Sequence, residues 1–270
     1  MLKSALFLLI WLVSTTSAWA INLQGELTQG SLVRGTIAPG GQVWLNDQAL
    51  QVSRDGHFAM GFSRDADGPQ ILRWRLVDGS QNQRALSLSK RQYAIQKIEG
   101  LPPKMVSPPA EVLERIKQDN LQVAMARKRT DQRTDFMQSF IWPAEGPISG
   151  VYGSQRILNG TPKRPHFGVD VAAAVGTPVY APANGIVTLW VPDMYYSGGT
   201  MIIDHGHAIS STFLHLHASH VKEGDHVQQG QLVAEIGATG RVTGAHLDWR
   251  MNWGKVRVDP ALLVPPRTTP

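Results

Sequence analysis

No cysteine occurs among the 270 residues of this chain. That absence excludes thiolate metal ligands, a cysteine nucleophile and a disulfide framework, so a metal site must draw on His, Asp or Glu. Two catalytic signatures are also missing. There is no His-Glu-x-x-His helix of the thermolysin type, and no serine stands in a Gly-x-Ser-x-Gly elbow. Long apolar runs are scarce. "ALFLLIWLV" follows Lys3 and precedes the small residues Ala18 and Ala20. It falls short of the roughly 20 residues that span a bilayer. Its layout is that of a secretory signal over residues 1–20, cleaved after Ala20. An uncleaved N-terminal anchor is the alternative. An exported chain without disulfides fits the bacterial envelope, in or near the periplasm.

Acidic residues are the minority charge, and the formal net charge is +5. An exported basic chain suits an anionic polymer or a membrane face. Its basic residues are scattered and export removes it from nucleic acid, so no nucleic-acid partner is expected. Plain solubility charge is the simpler account of the excess.

Residues 21–98 read as strands. "QILRWRLVDGSQNQRALSLS" sets Leu72, Trp74 and Leu76 against Arg73 and Arg75, turns at Asp78-Gly79, and resumes with Leu86 and Leu88. A small antiparallel β-sandwich is expected, with His57 incidental beside a turn. Residues 99–138 open with the proline-rich "EGLPPKMVSPPAE", a linker. There Ser107-Pro108 suits a helix start, and Val112, Leu113, Ile116, Val123 and Ala124 recur at helical spacing. "RKRTDQR" closes that helix with positive charge, which matches the macrodipole. It reads as a solvated face or as a site for an acidic partner. Residues 139–265 are rich in glycine and short β runs, such as "GIVTLWV" and "TMIIDHG". They predict a glycine-rich antiparallel β domain. The fold class is therefore mainly β: a sandwich, a connecting helix and a second β domain.

Eight of the nine histidines fall in this last segment. "HFGVD" places His166 and Asp170 four apart, "TFLHLHASH" holds His215, His217 and His220, and "GAHLDWR" places His246 and Asp248 two apart. Side chains two apart on a strand share a face. Three protein ligands and one open position make a catalytic zinc site, and these groups can supply the three. Each motif alone is also compatible with an ordinary polar strand face.

Taken together, the motifs resemble the lysostaphin-type, or LytM-like, zinc peptidases that cleave peptidoglycan peptides. The likeness runs from about Ile141 to Pro260 through "SGVYGSQR" (with Tyr152, Gly153 and Arg156), "HFGVDVAAAVGTPVYAPANGIV", "IIDHGHAISSTFLHL" and "GDHVQQGQLVAEIGATGRVTGAHLDW". The resemblance implies zinc ligands at His166, Asp170 and Asp248, and catalytic histidines at His215 and His246. It implies an endopeptidase acting on peptidoglycan stem peptides or cross-bridges. Some members of this group lack metal ligands and activate cell-wall amidases instead.

At 248 the family usually has histidine. A carboxylate still ligates zinc, but two carboxylates and one histidine leave a divalent ion with no net charge. The expectation is a weaker Lewis acid or a higher pH optimum. The other reading of Asp248 is an exposed pair with Arg250, worth about 0–1 kcal/mol. Of the remaining histidines, His205 reads as a turn residue, and His207, His217, His220 and His226 as surface or loop residues. Tyr195, Tyr196 and Trp190 are either groove aromatics or plain packing.

Overall fold

The computed structural model describes residues 21–99 and 109–267. The signal segment, Ser107 and Pro108 lie outside these residues, as does the side chain of Arg156. The chain is mainly β. Its first part forms β1 (Asn22–Gln24), β2 (Leu32–Thr36), β3 (Gln42–Leu45), β4 (Gln48–Ala49), β5 (His57–Gly61), β6 (Gln70–Arg75), β7 (Gln81–Leu86) and β8 (Ile95–Ile98). Two sheets, ordered β1-β2-β5 and β4-β3-β6-β7, enclose one core of Val33, Val43, Phe58, Met60, Leu72 and Leu86. The period-2 pattern decides the faces. Leu72 is buried, while Arg73 and Arg75 are exposed. The β6–β7 reversal uses Gly79 at φ 86°, a left-handed value that suits glycine. Strand β8 joins neither sheet and pairs in parallel with a strand of the C-terminal part.

The helix α1 (Leu113–Ala126) begins after a 3-10 turn at Ala110–Val112. Ile116, Asp119, Val123 and Ala126 form its inner stripe, whereas Leu113 and Ala124 face solvent. Asp119 anchors it, accepting from the backbone N–H of Tyr195 at 2.8 Å and from Arg115 Nε at 3.0 Å.

The C-terminal part adds β9 (Ile148–Gly150), β10 (Gln155–Leu158), β11 (Thr161–Pro162), β12 (Val169–Ala172), β13 (Pro178–Tyr180), β14 (Gly185–Met194), β15 (Gly198–Asp204), β16 (Ile209–Ser219), β17 (His226–Val227), β18 (Leu232–Ile236), β19 (His246–Trp253) and β20 (Val256–Val258). Strands β8, β10 and β11 form a small separate sheet. The main sheet runs β17-β14-β15-β16-β19-β12-β9, with β18 also on β16 and β20 on β19. One of its faces carries the large core, including Phe136, Phe140, Met201, Phe213, Leu247 and Trp249. Each such side chain contributes roughly 1.5–3 kcal/mol on full burial. On the opposite face, Val123 and Ala126 of the helix pack over Leu189, Met194 and Ile202. The helix thus covers β14 and β15 on that side. Beyond it, β16, β19 and β12 turn polar side chains to the same side.

The two parts are joined firmly. Trp253 packs against both cores, and Arg91 pairs with the buried Asp259 at 2.8 Å.

Candidate metal centre

Strands β12 and β19 pair antiparallel with Asp170 directly opposite Asp248. Directly opposed residues project to the same face, so the register alone brings these two carboxylates together. His166 comes from the loop before β12. Its backbone is pinned by His166 N–H to the Ser154 carbonyl at 2.8 Å and by Gly153 N–H to the His166 carbonyl at 2.7 Å. One ligand atom each from His166, Asp170 and Asp248 lies within 4.8 Å of the other two. His166 Nε2 is 3.1 Å from Asp170 Oδ1 and 3.4 Å from Asp248 Oδ2.

The fit to a divalent cation rests on how these atoms are aimed. His166 Nε2 and Asp170 Oδ1 are both buried, and despite their short separation neither has a hydrogen-bond partner. Such orphaned polar atoms are costly unless something else satisfies them. The ring's other nitrogen, Nδ1, lies 3.3 Å from the Val151 carbonyl. A carbonyl only accepts, so Nδ1 carries a proton, and Nε2 is the nitrogen that presents its lone pair once a cation takes the place of its proton, as in metal-ligating histidines. The carboxylates also sit in close-fitting cradles. A Cβ at Gly150 would strike Asp170, and one at Gly168 would strike Asp248.

His215 and His246 stand beside this triad, their ring centroids 4.9 Å apart. His246 Nε2 is 3.9 Å from Asp170 Oδ1. Each directs Nδ1 to a carbonyl, His215 to Thr239 and His246 to Gly244, both at 2.9 Å. Their Nε2 atoms are thereby left as proton acceptors. His215 has φ 65°, and the β16 register shifts around it. That bulge takes His215 out of simple alternation, a common way to re-aim a functional side chain.

The model of peptidase family M23 matches residues 164–260, a span containing all five of these residues. Residues 164–260 are thus a peptidase family M23 domain. Over 135 residues it is 34% identical to the peptidoglycan DD-endopeptidase ShyA of Vibrio cholerae, covering 49% of this chain and 28% of that protein. ShyB of the same organism is 40% identical over 115 residues, covering 39% and 26%. The chain therefore spans under a third of these curated relatives. A solved structure from Pseudomonas aeruginosa, described as an M23 peptidase, superposes with a TM-score of 0.67 at 26% identity. It covers 88% of this chain and 95% of that one, so the N-terminal sandwich is shared as well. The LytM-like resemblance of the motifs is borne out.

Within the M23 domain the two readings of Asp248 are not exclusive. Arg250 Nε donates to Oδ1 at 2.9 Å and to Oδ2 at 3.1 Å, and a terminal nitrogen of Arg250 reaches Oδ2 at 2.5 Å. The pair is not the exposed one expected, because Asp248 is only 3% exposed. Asp248 is desolvated, yet Arg250 and His166 hold its carboxyl well below the usual carboxylate range. Burial works against a charged His166, but Asp170 and Asp248 push it up to about 10. The triad thus holds a positive charge, either a proton or a cation that displaces it. Burial moves His215 the other way, below its ordinary value.

The remaining histidines divide. His217, His220 and His226 are exposed, as expected. His205 is a structural turn residue. It is fully buried between the Asn184 carbonyl at 2.7 Å and Ser211 Oγ at 2.8 Å, and burial takes it down to about 4. His207 departs from the surface reading. It is buried, with its ring 4.8 Å from that of Phe136. Trp190 packs against the large core, on the side of the sheet away from the triad. A cleft of about 590 Å³ over Trp44, Arg73 and Arg75 lies on the N-terminal sandwich and takes no part in this centre.

Proposed function

We propose that this protein is a zinc-dependent endopeptidase that hydrolyses peptide cross-links of peptidoglycan in the bacterial envelope. The observation that carries the reading is the convergence of His166, Asp170 and Asp248 on one point, with two Nε2 acceptors beside it. ShyA and ShyB, named as peptidoglycan DD-endopeptidases, support the substrate class. His166, Asp170 and Asp248 would hold the ion. A bound divalent ion supplies Lewis acidity and makes water easier to ionise. His215, kept neutral by burial, accepts a proton at Nε2. His246, aimed alongside it, orients the attacking water and, once protonated, steadies the negative charge that develops on the carbonyl oxygen.

Arg250 alters the charge argument made from the ligands alone. Two carboxylates, one guanidinium and a divalent ion total plus one, the value that two histidines and one carboxylate would give. The loss of Lewis acidity expected from Asp248 is therefore offset in part.

Purified protein loaded with zinc should release soluble muropeptides from isolated sacculi, and His166→Ala should release none and retain no stoichiometric zinc. One feature favours a second reading, a non-catalytic activator of cell-wall amidases. Arg250 already sits on both Asp248 oxygens, where a cation would otherwise be needed. Protein that purifies without zinc, takes up none on addition and leaves sacculi intact would end the hydrolase reading, and stimulation of a purified cell-wall amidase by that protein would establish the second.

A further inference from the structure

Next to the triad, the same sheet face carries more positive charge than it can pair. Thr212 of β16 is directly opposite Arg250 of β19, and Asn252 is opposite Arg257 of β20. Residues two apart on β19 share a side. Asp248, Arg250, Asn252, Thr212 and Arg257 therefore all face the same way. Arg127, the first residue after α1, arrives from above. Its terminal nitrogen donates to Thr212 Oγ1 at 2.8 Å. Arg257 donates to Asn252 Oδ1 at 3.0 Å.

The partner count is lopsided. Arg250 has Asp248. Among the described residues no carboxylate pairs with Arg127, Arg257 or the nearby Arg164. Arg127 Nε is buried and has no acceptor. The buried Thr212 accepts from Arg127 and so fixes its guanidinium over the strand face. Burial, with Arg257, Arg250 and Arg164 close by, pulls Arg127 down to about 9, and Arg257 falls to about 10 for the same reasons. Arg127, Arg250 and Arg257 are half-buried rather than sealed. Buried charge without a counter-charge is expensive. The missing member is an anion.

We propose that Arg127, Arg250 and Arg257 form a carboxylate-binding subsite beside the metal ligands, which takes a free carboxylate of the peptide being processed. Guanidinium forks match planar carboxylates in bidentate fashion. The choice of a peptide carboxylate rests on the endopeptidase reading, because the subsite shares its strand face with Asp248 and Asp170. It would make the protein selective for acidic peptides and poor on their amidated counterparts.

The test uses the full protein stripped of metal, so that nothing is hydrolysed during binding. Two N-acetylated tetrapeptides are compared by calorimetry, one with two free carboxylates and one with both as carboxamides. The acid form should bind about tenfold tighter, as expected for one charge-assisted bidentate contact. Arg127→Gln and Arg257→Gln should each bring the acid form toward the amide and leave the amide unchanged. Equal affinity of the two peptides for the parent protein overturns the proposal, as does an acid preference that survives both substitutions. If Arg127→Gln loses both peptides through misfolding, seen in its thermal midpoint, Arg257→Gln decides. Lost preference there supports the subsite and retained preference rejects it. Hydrolysis by zinc-loaded protein is scored separately. No turnover together with an intact acid preference rejects the peptidase reading and keeps the subsite.

Discussion

Two arginines six residues apart in the same basic run meet opposite surroundings. Arg133 is saturated. It pairs with Asp131 at 3.0 Å and Asp135 at 2.7 Å, and with the buried Asp204. It also donates to the Asp204 carbonyl at 3.1 Å. Burial alone would discourage its charge, but the three carboxylates raise its pKa instead. Arg127 has a hydroxyl and three other guanidinium groups for company. One end of the run is a completed structural lock between the post-helix loop and β15. The other lacks its counter-charge and stands next to the candidate metal centre. Structural sites close their own charge, whereas sites that await a ligand leave it open.

The largest effect should come from breaking the closed end. Arg133→Met leaves Asp135 and the buried Asp204 without a cation, and Asp131 with only the more exposed Arg129. Removal of one partner from a buried pair costs about 3–5 kcal/mol. Urea unfolding should show a loss of that size, with Asp204 the most strongly affected group. A loss below about 1 kcal/mol would place Arg133 among ordinary surface pairs and erase the contrast.

Acid should also act first at the closed end. His205 and His207 both lie at about 4 in the folded state, lowered by burial, against 6.5 as their ordinary value. Between those values the unfolded chain binds protons that the folded chain does not, so stability falls as pH drops from about 6.5 to about 4. The slope approaches roughly 1.4 kcal/mol per pH unit for each group. It should flatten below the folded values. Thermal midpoints across that range should show it for the parent, and His205→Gln should remove about half of the slope. An unchanged slope in that variant would show that other groups carry the acid sensitivity.

Much of this was legible in the sequence, and the remainder has identifiable causes. Alternation gave the faces of β6, and the glycine turn gave its hairpin, because local pattern and burial agree there. The motifs name His166, Asp170, His246 and Asp248; β12–β19 register explains why Asp170, Asp248 and His246 meet, and the loop before β12 adds His166. His215 was found only by resemblance, since a bulge and a left-handed backbone set its aim and neither is visible to periodicity. His207 passed for a surface residue because its burial depends on Phe136, about seventy positions earlier. The basic run passed for a solvated face for the same kind of reason. Charge spacing along a chain does not reveal which strand another arginine will face. Cross-strand partners such as Thr212 and Arg250 become neighbours only once register is known.

The smallest expected effect is the most telling, because its sign differs from the first. Arg127→Met removes a half-buried charge that has no carboxylate to lose, and it keeps an unbranched apolar stem of similar length at that position. The cost of desolvating the guanidinium disappears, and one neutral hydrogen bond to Thr212, worth about 1 kcal/mol, disappears with it. The desolvation term should win, so the ligand-free protein should gain about 1 kcal/mol in urea unfolding, within the range seen when buried charges give way to apolar groups. The parent should recover that difference when a carboxylate ligand is present, and the variant should not. Should Arg127→Met destabilise the ligand-free protein as strongly as Arg133→Met does, then Arg127 is a second lock, and the open cationic face has no vacancy to fill.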